Sequence, residues 1–353
     1  MTNTSLNGVS IQGYNTAVVT DNEVSNVSSS GLDIEGVTNA RVERNSLSNV
    51  DVIGARVIGA TPRSCDNTLD AVGRRDSLPV SRRLTLADTE LTEISTGGFG
   101  AEAITATGIT NATVSGNVVT DVAPGGVELL VSNEATVQDN ALTDIGVSDD
   151  GNDPALSIVV DGNADSTVRN NTGQNVTGGI RVVDGSETSI LDNAFDMRGN
   201  IGGETAPGVD VSNVTTADID NVSIDIVESD IGDGVAASES DDVTITDVVV
   251  NGPGSDGIVA RGQGNLTVND TRVTNASDRA VTLFGLGGEL TVNISGNEFG
   301  SSRFGIRTGS LISGAITENT IENNEFGIVM LRRVHSMVRS PGTLSRTTPA
   351  RAS

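Results

Sequence analysis

Residues 31–50 read GLDIEGVTNARVERNSLSNV. Small clusters of Val, Ile and Leu alternate with single polar residues, and Gly and Asn punctuate them every few positions. The same grammar returns as GIRVVDGSETSILDNAF at 179–195 and as GIRTGSLISGAITENTI at 305–321. Apolar residues two apart describe short strands whose alternate side chains point inward. Their runs are too short for helices, so the pattern has to be read as a repeat before any site is placed on it.

The core unit is an aliphatic residue, two variable positions, Asn, one variable position and a second aliphatic or Phe. It occurs as Val19/Asn22/Val24, Val42/Asn45/Leu47, Val114/Asn117/Val119, Val137/Asn140/Leu142, Ile190/Asn193/Phe195, Ile294/Asn297/Phe299 and Ile316/Asn319/Ile321. Val168/Asn171 fits with Gly173 in the last place, and Thr89, Val222, Val248 and Thr271 stand where Asn is expected. Asn67, midway between 45 and 89, fills an apparent gap. The ladder then has about thirteen turns of about 25 residues each. A second element, Gly-aliphatic-x-aliphatic, follows most turns, as at 31–34, 126–129, 179–182, 208–211, 257–260, 305–308 and 327–330.

Turns of this length holding two or three short strands predict an all-β chain. Specifically, they predict a single-stranded parallel β-helix, a solenoid in which each strand pairs with its equivalent one coil away at about 4.8 Å. Thirteen coils make a rod of about 60 Å. The Asn series is read as structural: Asn tolerates left-handed backbone at a corner, and stacked amides hydrogen-bond up the rod. The expected organisation is a solenoid over 9–331, interrupted by an irregular segment at 61–85, and a basic tail at 332–353 without fixed structure. Those two exceptional segments carry ten of the 21 Arg, and the tail holds the only His, His335.

The repeat resembles right-handed parallel β-helix proteins of the pectate lyase-like superfamily, including the NosD-like repeat proteins, over about residues 9–331. That scaffold hosts pectate lyases, polygalacturonases, alginate epimerases and phage tailspikes, so it leaves function to the site.

Composition excludes several classes. The net charge is −26, Lys is absent, and all 21 basic residues are Arg. Such a surface resembles proteins of salt-loving archaea, where salt screens self-repulsion. It argues against neutralising nucleic-acid phosphates or binding anionic membranes. A lone Cys65 leaves no disulfide framework, and no apolar run is long enough to span a bilayer. Because the repeat is already running by Val19, the chain is expected to be a segment of a longer exported protein, extracellular or on the cell surface. Exposed end coils are expected to allow end-to-end association with further domains. The N-x-[ST] sites, Asn26 and Asn111 among them, are compatible with export.

The longest connections follow 140, 193 and 222, while the turn at 171 stays short, which predicts a groove walled by loops from one corner. Its floor is expected to carry Glu128, Ser157, Arg181 and Asp210 on successive coils, with Ala236 and Val259 beyond and Asp33, Arg56 and Glu102 before. An extended polysaccharide or cell-surface glycan is the expected partner, with a purely scaffolding role beside it. The resemblance to pectate lyases implies an alternative, a Ca²⁺-assisted polysaccharide lyase. In it Arg181 would abstract the proton next to a sugar carboxylate, and Glu128 and Asp210 would help bind Ca²⁺. Asp149, Asp150 and Asp153 form a second candidate Ca²⁺ cluster. Other family patterns are incomplete. The Asp-Asp pairs at 149–150 and 241–242 lack the Gly-His-Gly of polygalacturonases, and Asp153-Pro154 lacks the neighbouring Tyr and His of alginate epimerases. No clustered His, Met or Cys suggests a NosD-like copper site.

Overall fold

The computed structural model describes residues 2–4, 7–59, 83–94, 102–122, 125–130, 134–146, 155–162, 164–198, 206–227, 232–331, 337–339 and 344–347. Every described element is a strand, and every pairing is parallel. The chain winds through three faces in turn. A representative coil runs Val127–Leu130 on the first face, Glu134–Gln138 on the second and Ala141–Ile145 on the third. The third face is a 14-stranded sheet. The other two faces fuse into one sheet because Asp256–Asn269 and Arg279–Ser295 each run unbroken across the corner between them. Thirteen coils stack in this way, from Val9–Gln12 to Leu344–Thr347. The last of them is completed by Met337–Arg339 and Leu344–Thr347, which pair with the preceding coil inside the segment read from sequence as a tail.

The core is thin and aliphatic, as the low aromatic content requires. Leu86, Val114, Val137, Val168, Ile190 and Ile219 pair in one continuous column and are fully buried. Each burial removes a Val, Leu or Ile side chain from water, stabilising by about 1.5–3 kcal/mol. Because neighbouring coils supply the covering atoms, no coil holds its core alone.

The Asn ladder is structural, but its chemistry differs from the sequence expectation. The left-handed residue at the corner is the one before the Asn, or before Thr89 in its place: Asp21, Arg44, Asp88, Asp139, Asn170 and Asp192 all have φ between 50° and 59°. The Asn itself turns inward. Asn117 Nδ2 donates to Asn140 Oδ1 at 2.9 Å, Asn140 Nδ2 to Asn171 Oδ1 at 2.9 Å, and Asn171 Nδ2 to Asn193 Oδ1 at 3.0 Å. Each amide also caps backbone groups that the corner leaves unpaired, as when Asn117 Oδ1 accepts from Thr89 N at 3.0 Å. The run stops at Val222 and Val248 and resumes with Asn297 donating to Asn319 at 2.8 Å.

Asn67 is not a rung. Ser46–Val50 pairs directly with Glu90–Ile94, so no coil lies between positions 45 and 89. Residues 60–82 form an insertion between Ile53–Gly59 on the first face and Arg83–Ala87 on the second, and they lie outside the described residues.

Glycine at the start of most first-face strands has a packing cause. A Cβ on Gly126 would lie 2.4 Å from both the Ser157 carbonyl oxygen and Leu142 Cδ2, because coil pitch and core leave no space there. Only a residue without a side chain admits the neighbouring coil at this distance.

Candidate functional site

The first face presents one outward row whose order is fixed by strand register. Asp33 pairs with Arg56, Arg56 with Thr105, and Thr105 with Glu128. Glu128 then pairs with Val159, Val159 with Arg181, and Arg181 with Asp210. Ala236 continues the row as expected, and Val259 holds the next register position but is buried.

Two positions differ from the sequence reading. Ser157 is not on the floor. It replaces the strand-opening glycine, is fully buried, and donates its hydroxyl to Gly178 O at 2.6 Å, so Val159 faces outward instead. Ala103 holds the glycine position two coils earlier in the same way, which makes Thr105 the outward residue and puts Glu102 at the corner.

That displacement brings Glu102 against Glu128. The two carboxyls are within hydrogen-bonding reach, and burial drives the Glu128 carboxyl up to about 7, reinforced by the Glu102 charge and hydrogen bond and by the charge of Asp161. Glu102 is also raised, chiefly by burial. Two carboxyls at one partly desolvated point hold a proton between them, since both ionise together only at a cost in repulsion. Among the described residues, Glu102 Oε2 and Thr105 Oγ1 are buried without hydrogen-bond partners, leaving polar capacity beside the pair.

Arg181 and Asp210 form the second unit, with Arg181 Nε 3.4 Å from Asp210 Oδ2. Burial raises the Asp210 carboxyl, and the Arg181 charge opposes that shift. Arg181 is about half exposed, so its guanidinium still reaches solvent. Toward the first coils, Arg56 Nε lies 3.3 Å from Asp33 Oδ1, and Asn7 donates to Asp33 Oδ2 at 2.8 Å. The row is thus a sequence of charged units, Asp33–Arg56, Glu102–Glu128 and Arg181–Asp210, separated by Thr105 and Val159.

The long connections leave from one corner. Ala141–Ile145, Ala194–Arg198 and Ser223–Val227 belong to the third face, and the chain re-enters the first face at Ile158–Asp161, Val209–Ser212 and Val235–Ser238. The coil between the first two of these crosses directly through 177–179. Asp149, Asp150 and Asp153 lie outside the described residues. Among the described residues, no group of three or more His, Cys, Asp or Glu side chains converges as a metal cluster.

Residues 78–214 and 207–338 match the family described as right handed beta helix region. The chain belongs to that family. As a right-handed β-helix it is also similar to a solved structure, the A-module of the Azotobacter vinelandii mannuronan C-5 epimerase AlgE4. The TM-score is 0.58 with 14% identity, covering 93% of this chain and 91% of that one. No curated protein matches the chain. At this identity the likeness extends to the fold.

The structure brings Arg181 and Asp210 together, as read from sequence, and keeps Glu128 two coils from Arg181. Sequence reasoning set Glu102 on the floor one coil before Glu128, and missed both its place at the corner and the coupling of the two carboxyls. The signal available was Ala103, a small residue in the place of a glycine.

Proposed function

We propose that the first face binds an extended acidic polysaccharide and that the protein works outside the cell or at its surface, as a binding module or scaffold. The observation that carries this reading is the charged row from Asp33 to Asp210, set at coil spacing beside the corner where the longer connections gather. Arginine takes a carboxylate through two parallel N–H donors, and carboxylates accept from sugar hydroxyls. Arg56 and Arg181 would seat uronate groups, with Glu128 and Asp210 taking hydroxyls between them. The likeness to a mannuronan epimerase module supports the ligand class.

The Glu102–Glu128 pair favours a second reading, proton abstraction next to a sugar carboxylate. A carboxyl titrating near 7 is matched to accepting and returning a proton at neutral pH. In this reading Glu128 takes the proton and Arg181 anchors the uronate, because a guanidinium stays protonated in proteins. Breaking the bond to the glycosidic oxygen, which leaves with a proton from water, would then give an unsaturated lyase product, whereas delivery of a proton from water to the opposite face would invert the sugar carbon. Ca²⁺ as a helper belongs to this proposal. Glu102 and Glu128 offer two carboxylates where the ion takes six to eight oxygens, so further ligands would have to come from the ligand, from water, or from Asp149, Asp150 and Asp153.

The test is affinity electrophoresis and calorimetry with polyuronates and neutral glucans in high salt, wild type against Arg181→Ala, with and without chelator. The expected result is binding of polyuronate alone, weakened at least ten-fold in the variant. Equal affinity of the two proteins for polyuronate refutes the site. Ultraviolet absorbance of unsaturated ends and analysis of sugar configuration decide between binding alone and turnover.

A further inference from the structure

The chain has six Phe, one Tyr and no Trp. Phe195 and Phe299 are buried in the core, where a large apolar ring belongs. Phe304 and Phe326 do something else. They open successive first-face strands, pair directly in register, and stack with ring centroids 4.9 Å apart at an interplanar angle of 17°. Phe326 remains 41% exposed. Stacking on the neighbouring coil accounts for one ring surface of the pair and leaves the rest in water, where it lowers no free energy in the isolated protein.

Two guanidiniums flank this aromatic step. Arg303 lies 5.1 Å and Arg307 5.9 Å from the Phe304 centroid, both within cation–π range. Their charges are handled differently. Arg303 has Asp278 and Glu325 each at 3.8 Å, whereas Arg307 has no carboxylate at ion-pair distance among the described residues. In a chain of net charge −26, an Arg held beside a ring rather than beside an acid is an anion seat set next to an apolar one.

We propose that Phe304, Phe326 and Arg307 form a separate subsite for an anionic sugar residue. The C–H face of the pyranose lies against the exposed ring surface, and its carboxylate or sulfate is taken by the Arg307 guanidinium. Both demands are met at once only by a ligand with an apolar face and an anionic edge, which a uronate or sulfated sugar has and a neutral sugar or simple anion lacks. Arg307 occupies the same outward row as Arg181, five coils further on, or about 24 Å along the rod. A polysaccharide lying along the first face would pass over both places, so the inference extends the proposed binding role, yet the two sites are too far apart for one disaccharide to touch.

That separation supplies the experiment. Saturation-transfer NMR and calorimetry are run with a uronic-acid disaccharide, a sulfated disaccharide and a neutral glucan disaccharide. The proteins are wild type, Phe326→Ala, Arg307→Gln and Arg181→Ala, each checked for its fold by circular dichroism. The subsite predicts saturation transfer from aromatic protons to the anionic disaccharides, loss of that transfer with at least ten-fold weaker binding at this place in Phe326→Ala and Arg307→Gln, and aromatic saturation transfer that persists in Arg181→Ala, whose place on the row carries no ring. The preferred anion follows from which disaccharide binds tighter. If Phe326→Ala and Arg307→Gln bind as wild type while Arg181→Ala loses affinity, the subsite is refuted and the charged row survives. If no anionic disaccharide binds the wild type, the subsite is refuted. Polyuronate binding by the whole face is then judged separately by the longer polymers.

Discussion

Replacing Asn140 with Val tests the amide column where its bonding is densest. Asn140 Oδ1 accepts from Asn117 N at 3.0 Å and from Asn117 Nδ2 at 2.9 Å, and Asn140 Nδ2 donates to Val114 O at 3.1 Å and to Asn171 Oδ1 at 2.9 Å. Asn140 is 1% exposed, so water cannot replace these partners. The variant strands the Asn117 N–H outright, at about 1–3 kcal/mol. It also removes two donated bonds and weakens a third contact, each worth about 0.5–1.5 kcal/mol. The added aliphatic surface offsets about 1 kcal/mol of that. The net expectation is a loss of about 1.5–6.5 kcal/mol, concentrated in coils 117–193. Thr271→Val is the control, since Thr271 Oγ1 donates only to Asn269 O at 3.0 Å and accepts from Val248 N at 3.4 Å. It should cost about 1 kcal/mol. The assay is guanidinium unfolding combined with native-state hydrogen exchange, which resolves the loss by coil. A second arm, Asn117→Val with Asn140→Val, should cost less than the sum of its parts, because removing the Asn117 side chain also removes a group that Asn140→Val deprives of its partner. A loss in Asn140→Val no greater than in Thr271→Val, or strict additivity in the double variant, would refute the column as a coupled stabilising element.

Two further outcomes follow from the same geometry. The Glu128 carboxyl is raised in the folded state to about 7, from an ordinary 4.5, so its contribution to stability is full below pH 4.5 and is lost as pH rises through 7. Glu128→Gln, which mimics the protonated form, should therefore match wild-type melting near pH 4 and exceed it near pH 8; a constant difference across that range would show that the pair does not hold a proton. A Cβ on Gly179 would meet Gly208 O at 1.9 Å, whereas at Gly13, with φ at +74°, it meets nothing within 4 Å. Gly179→Ala should destabilise by at least about 1–3 kcal/mol and Gly13→Asn by a few tenths, measured by chemical unfolding, and equal costs would contradict the close-approach account.

The fold is legible because the solenoid writes its inner column directly into sequence: Val114, Val137, Val168 and Ile190 read as one row, and they pair as one. Legibility fails where a marker residue is missing. Asn67 looks like a rung by arithmetic alone, since a gap of twice the usual period looks the same as a coil plus its neighbour, and only strand register distinguishes an insertion from a turn. Ser157 and Ala103 stand where Gly opens other first-face strands, so the outward position is misplaced by two residues at Ser157 and by three at Glu102, which hides Val159 and Thr105 as the outward residues. Arg181 and Asp210 each follow a Gly at the regular offset and stand where that count puts them. Carboxyl coupling is illegible in any case, because Glu102 and Glu128 are 26 positions apart and touch only through coil stacking. The scarcity of aromatics does point toward Phe304 and Phe326, whose 22-residue spacing is one coil.

The interruption of the amide column at Val222 and Val248 gives the rod a seam. Strand pairing continues through it on every face, but the inner corner there is filled by aliphatic side chains and lacks the amide bonds that add to the pairing between Asn117 and Asn193 and between Asn297 and Asn319. A filament assembled this way should flex and fray there first, with the half bearing Arg181 and the half bearing Phe326 behaving as two stiff arms. A long, semi-rigid polymer gripped by both arms would then act as a splint.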